Sequence, residues 1–305
     1  MTQMMTLVRR ELMEHRSSWM VSAVFGALFV LVALLSLFGL VRIGVFDDPM
    51  TLAEISERVD AVILRDVLKF MLIGMAVVFN LVMTFVIIFY FLDALYAERK
   101  DRSILFWKSL PVSDLQVVGS KYLTGVAAIP LLTVAVFVVT AVLVALISGV
   151  AMFRAGVLDL LAAAPGAIAS VVVIMLYTFI VQALWFAPFA GWLLLVSAFA
   201  RRLALGWAVL PPLLVVVAER LIFGTRHFLD WVGHRITGVY ELAFSTARTP
   251  VLLEHEDVMI TTFPALRDLF TPARLLAEPA LWVGLAVGAL LLAGAVWLRR
   301  WRDES

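Results

Sequence analysis

The chain has 305 residues, of which 63% are hydrophobic and 15% charged, with a net charge of +1. A soluble domain carries roughly 45–50% apolar and about 25% charged residues, so this balance excludes a soluble protein and requires a membrane as solvent. Near-neutral charge removes any electrostatic case for nucleic acid, and the lack of cysteine removes disulfides, thiolate catalysis and cysteine metal sites.

Apolar runs of about 20 residues or more recur along the chain without strand-like alternation, which favours helices over a barrel. The expected architecture is an all-α integral membrane protein. Residues 1–17 predict an interfacial amphipathic helix: Met4, Val8 and Leu12 recur every four residues, with Arg9, Arg10, Glu11, Glu14 and Arg16 around the remainder. Residues 18–305 then form one six-span domain. The first span covers about 19–41, and a polar loop follows in which Thr51 and Glu54 have capping-box spacing. The second covers 67–96. A charged, turn-forming island at 97–121 leads into the third span, 122–150, which Pro130 should kink. The fourth run, 167–200, is too long for one straight crossing and should tilt, kink at Pro188 or begin in the interface. The fifth, 203–223, carries the interruption Pro211-Pro212. The outer segment 224–277 contains one amphipathic helix whose face is Phe228, Val232, Ile236, Val239 and Ala243. The sixth span is 281–298, where Gly284-x-x-x-Gly288 and Ala289-x-x-x-Ala293 permit close packing.

Six spans place both termini on one side. The basic clusters Arg99-Lys100, Arg201-Arg202 and Arg299-Arg300-Trp301-Arg302 hug span ends on that side, which makes it cytoplasmic; Lys69 and Arg220, near outer ends, run against this.

Little chemistry is visible. There is no GxxxxGK[ST] phosphate loop and no GxSxG, so neither ATP hydrolysis nor serine-hydrolase chemistry is expected of this chain. The histidines His15, His227, His234 and His255 show no metal-binding spacing. The deep polar residues are Asn80 and Gln182. They read either as interhelical hydrogen-bonding groups or as part of a translocation path.

The island is the informative stretch. Asp101 can cap a helix over Arg102–Leu110 that Pro111 ends, and Ser113-x-x-Gln116 is a capping box for the next helix. Ile104, Leu105, Phe106, Trp107 and Leu110 lie among charges, as in a protein-docking anchor or in an interfacial helix that snorkels its charges.

Glu98-Arg99, Asp101, Ser103, Phe106, Ser109-Leu110-Pro111-Val112-Ser113 and Ser120-Lys121 resemble the cytoplasmic loop of ABC-2 type (export-type) ABC transporter permeases. Arg9-Arg10-Glu11 with Glu14-His15-Arg16 is similar to the opening of the same family. Arg102 stands where many members have glycine. The resemblance implies a bacterial cytoplasmic-membrane permease subunit with no ATPase site of its own. It implies pairing with a second copy or a related permease, and with two ABC ATPase subunits that bind ATP and Mg. No cofactor is expected in this chain, and membrane lipids surround it. The ATPase-coupling set that follows from the resemblance is Glu98, Arg99, Asp101, Arg102, Ser103, Phe106, Lys108, Ser109, Leu110, Pro111 and Asp114. Spans two and five would line the path, with Asn80, Gln182, Pro211 and Pro212 as weaker candidates. A lipid, hydrophobic peptide or drug is compatible with such a path. The competing readings are a non-transporting partner of an ABC ATPase and an ion-coupled secondary transporter. Deep carboxylates and inverted repeats, which the latter needs, are not visible.

Overall fold

The computed structural model describes residues 2–40, 61–100, 112–154, 158–245, 251–255, 258–262 and 266–301. The Thr51/Glu54 capping box and residues 101–111, with the expected Arg102–Leu110 helix, lie outside the described residues.

The described chain is helical apart from one two-stranded hairpin. In order it forms α1 (Thr2–Glu14), α2 (Ser17–Leu37), α3 (Ala61–Ala94), α4 (Tyr96–Lys100) and α5 (Asp114–Leu123). A π-helical turn (Thr124–Ala128) leads into α6 (Ile129–Arg154), and a short 3-10 turn (Leu158–Ala163) into α7 (Ala164–Trp185) and α8 (Ala187–Phe199). Then follow α9 (Ala204–Ile222), α10 (His227–Ala243), β1 (Val251–His255), β2 (Val258–Thr262), α11 (Leu266–Leu269), α12 (Pro272–Ala277) and α13 (Pro279–Trp301). Six helical stretches among the described residues are long and apolar enough to cross a membrane. The 21 residues of α2 span about 31 Å at 1.5 Å per residue, which matches a hydrocarbon core of about 30 Å.

The helix irregularities follow from missing donors. Pro130 offers no N–H to the turn before it, and the chain absorbs this as the π-helical turn Thr124–Ala128 rather than as a break. A side chain at Gly125 in that turn would overlap the Phe91 ring, so the expansion also lets α3 approach closely. The fourth apolar run does break, at Phe186, two residues before Pro188. The fifth does not. α9 runs continuously through Pro211 and Pro212, correcting the interruption expected there. Pro212 cannot donate to the carbonyl of Ala208, and the Trp192 indole Nε1 donates to that carbonyl instead at 2.9 Å.

The core lies where α3, α6, α7 and α8 meet, with Phe79, Phe137 and Leu194 fully buried. Phe79 and Phe137 pack edge to face, 5.7 Å between centroids. α8 and α13 pack backbone to backbone. A Cβ at Gly191 would stand 2.8 Å from the Gly288 carbonyl oxygen, so both glycines are required. Ala289 and Ala293 are exposed and take no part in this contact.

The described residues between α9 and α13 form further elements. Phe244 and Phe270 form an isolated antiparallel bridge, and β1 pairs antiparallel with β2, Leu253 opposite Ile260. The buried face of α10 is Arg235, Gly238, Val239, Leu242 and Ala243. This corrects the expected face: Val239 and Ala243 belong to it, Ile236 is exposed, and an arginine takes the centre. Periodicity located the helix, but its apolar count could not foresee that a charged side chain would be the one turned inward.

Candidate coupling site at the charged end of the bundle

Four elements that are remote in sequence place ionised side chains together where α3 gives way to α4. The bend is set by Ser197 of α8, whose Oγ accepts the backbone N–H groups of Leu95 and Tyr96 at 2.9 and 3.0 Å. α4 thereby starts in a new direction and turns Glu98 inward. On the other side of residues 101–111, the expected capping box forms. Ser113 Oγ accepts the Gln116 N–H at 3.3 Å, and Gln116 Oε1 accepts the Ser113 N–H at 3.0 Å. The capped α5 carries Asp114 and Lys121.

Lys121 is the hub. Its side chain is 1% exposed, and Nζ lies 2.8 Å from Glu11 Oε1 and 2.9 Å from Glu98 Oε1. Arg299, at the end of α13, donates from Nη1 to Glu98 Oε2 at 2.5 Å and from Nε to Asp114 Oδ1 at 3.1 Å. Tyr90 Oη donates to Glu11 Oε2 at 3.2 Å, and His15 lies edge-on to the Tyr90 ring. One connected network thus ties α1, α3, α4, α5 and α13 together. Charges so deep persist only when paired, which is the case here.

Arg99 is anchored separately. Its Nη2 donates to the carbonyls of Ser197 and Ala200, at 2.5 and 2.9 Å, at the C-terminal end of α8, where unpaired carbonyls favour a cation. Of the coupling set, Glu98, Arg99 and Asp114 are therefore bound inward to the bundle. Asp101, Arg102, Ser103, Phe106, Lys108, Ser109, Leu110 and Pro111 lie outside the described residues. Glu11, Tyr90, Lys121 and Arg299 were not among the expected coupling residues. Glu11 was placed on the polar side of α1, yet it is buried. The available signal was that Glu11 and Lys121 belong to the two quoted motif stretches.

Asn80 and Gln182 are brought together. Asn80 Nδ2 donates to Gln182 Oε1 at 3.3 Å, and Gln182 Nε2 donates to Asn80 Oδ1 at 3.1 Å and to Tyr240 Oη at 3.2 Å. This node joins α3, α7 and α10. Pro211 and Pro212 belong to α9, whose buried residue is Ala208, and are not part of it.

A third buried cation lies at the α7–α8 break. The break leaves the Trp185 carbonyl without a helical donor, and Arg235 Nη1 supplies one at 2.8 Å. Arg235 also donates to the Ala280 carbonyl, while the Trp185 indole donates to the Arg235 carbonyl at 2.7 Å. The guanidinium sits 4.5 Å from the Trp185 ring centroid. Desolvation pushes its pKa below the ordinary arginine value, and Glu278 opposes the shift. Gly284 gives it room, since any side chain there would overlap the guanidinium.

Among the described residues no group of three or more histidines and acids is arranged to hold a metal ion. No curated protein and no solved structure matches the chain. Residues 62–202 match the family model described as ABC-2 family transporter protein, a stretch that runs from α3 through α8 and includes Glu98, Asp114 and Lys121. With its six candidate spans among the described residues, the chain is a multi-pass membrane protein that is similar, over residues 62–202, to ABC-2 family transporter proteins.

Proposed function

We propose that this chain is the permease subunit of an ABC exporter in a bacterial cytoplasmic membrane, with both termini cytoplasmic. ATP, with Mg, is bound and hydrolysed by two separate ATPase subunits, and the permease pairs with a second copy or a relative. Arg102–Leu110 receives the ATPase as a coupling helix. Supporting this is the buried Glu11–Lys121–Glu98–Arg299 network. It grips the chain on both sides of residues 101–111 and links them to the first and last parts of the bundle. A push delivered there reaches α1 and α13 through charge-assisted hydrogen bonds rather than through a slack loop. On this reading Glu98, Arg99 and Asp114 hold the loop, and Phe106 and Leu110 meet the partner.

The test is to purify the complex with its ATPase and compare ATP hydrolysis with and without the permease for Phe106→Ala and Leu110→Asp. Loss of the stimulated rate, with the complex still membrane-inserted, is expected. Wild-type stimulation and transport in both variants would sink the coupling role.

A further inference from the structure

A groove of about 910 Å³ runs between α2 and α6, near the top of the roughly 300–1,000 Å³ range of ligand clefts. Ala23, Gly26 and Ala27 on α2 and Ala135 on α6 form its floor. At one end stand Arg9 and Arg16, with Trp19 just inside, and the lining reaches Leu34 at the other end. From Arg16 to Leu34 is about 27 Å of helix rise, close to the thickness of the hydrocarbon core.

The charge distribution at the mouth is one-sided. Glu11 is committed to Lys121, and Glu14 to Arg10 at 2.7 Å. No acid among the described residues pairs with Arg9 or Arg16, and both are exposed. Two guanidinium groups with no acid partner among the described residues, above a membrane-deep apolar slot, complement a molecule with an anionic head and a hydrocarbon tail. Guanidinium matches phosphate oxygens bidentately, and an indole just inside suits the interfacial level. A second copy is a poorer occupant. Face-to-face docking on this groove would bring its own Arg9 and Arg16 toward these two.

We propose that the α2–α6 groove is a binding site for an anionic phospholipid of the surrounding bilayer, its phosphate held by Arg9 and Arg16 and an acyl chain laid over Ala23, Gly26 and Ala27. The lipid comes from the leaflet that borders α1, which is the cytoplasmic one in the orientation proposed above. The site does not depend on the coupling role of residues 101–111.

The experiment uses the purified full chain without ATPase, so its failure is separate from failure of the coupling reading. Phosphatidylglycerol and phosphatidylcholine with identical acyl chains are titrated, and bound lipid is counted by native mass spectrometry. Wild type should retain phosphatidylglycerol preferentially. Arg9→Gln with Arg16→Gln should weaken that binding about 30-fold, from about fivefold per surface cation, and leave phosphatidylcholine unchanged. Arg300→Gln, an exposed cation elsewhere, should keep the preference. Ala27→Phe, which fills the slot, should lower retention of both lipids. An unchanged preference in the double variant overturns the site. So does efficient cross-linking between copies through Ala27→Cys in membranes, which would show that protein covers the groove.

Discussion

Lys121 and Arg235, two of the three buried cations among the described residues, hold this bundle together in opposite ways. Lys121, at the charged end, is shared by two carboxylates, and Arg299 extends the set to Asp114. Arg235, at the α7–α8 break, uses backbone carbonyls and the Trp185 ring. The first arrangement joins side chains from α1, α4, α5 and α13, so each charge depends on partners in other elements. The second repairs a local defect, the Trp185 carbonyl freed at the α7–α8 break. Shared charge makes a rigid junction whose parts must move together. A cation on carbonyls makes a patch whose loss is contained. The rigid junction is the one beside residues 101–111, where force is proposed to enter.

This contrast can be broken in order of expected effect. Lys121→Met leaves Glu11 without its cation and Glu98 with Arg299 alone, and breaking a buried pair this way costs about 3–5 kcal/mol. The loss should appear as a lowered unfolding midpoint in detergent. Adding Glu11→Gln should recover part of it, because the uncompensated charge is then removed. Arg235→Met keeps the apolar stem and breaks no ion pair with a fully buried carboxylate, the nearby Glu278 being only half-buried. It leaves two carbonyls short of a donor, for an expected loss of about 1–3 kcal/mol in the same assay. A cost equal to that of Lys121→Met would erase the distinction between shared and single charge. Asn80→Ala removes a neutral pair, and interhelical hydrogen bonds in membranes average only about 0.6 kcal/mol, so its midpoint should barely move. A larger fall would mean that the Gln182–Tyr240 end of the node depends on Asn80 for its position. If transport falls while the midpoint holds, the pair belongs to the path rather than to packing.

Much of the architecture could be read from the chain before any coordinates. Continuous apolar runs announce helices because a membrane leaves backbone groups no partner outside their own segment. The Ser113/Gln116 box is legible because its spacing is its mechanism. The site was legible by halves. Its motif residues Glu98, Glu11 and Lys121 stood in the quoted stretches, yet nothing in a linear reading says that a glutamate on a polar helix face will be buried. Burial of Glu11 depends on Lys121, which lies 110 positions away. The proline outcomes were also hidden. Pro188 and Pro212 remove the same kind of donor. One helix breaks and the other continues, and in the second Trp192, from a different helix, reaches the orphaned Ala208 carbonyl.

By itself, then, the sequence determined a helical membrane protein, the placement of its apolar runs, and a charged, capped interruption between the second and third of them. These rest on composition, period and local hydrogen bonding, which act within a few residues. The tertiary structure decided which charges are buried, which helix face turns inward at Arg235, and which prolines break their helices. Each of those depends on a partner brought from elsewhere in the chain. A buried polar group is stable only once that partner has arrived.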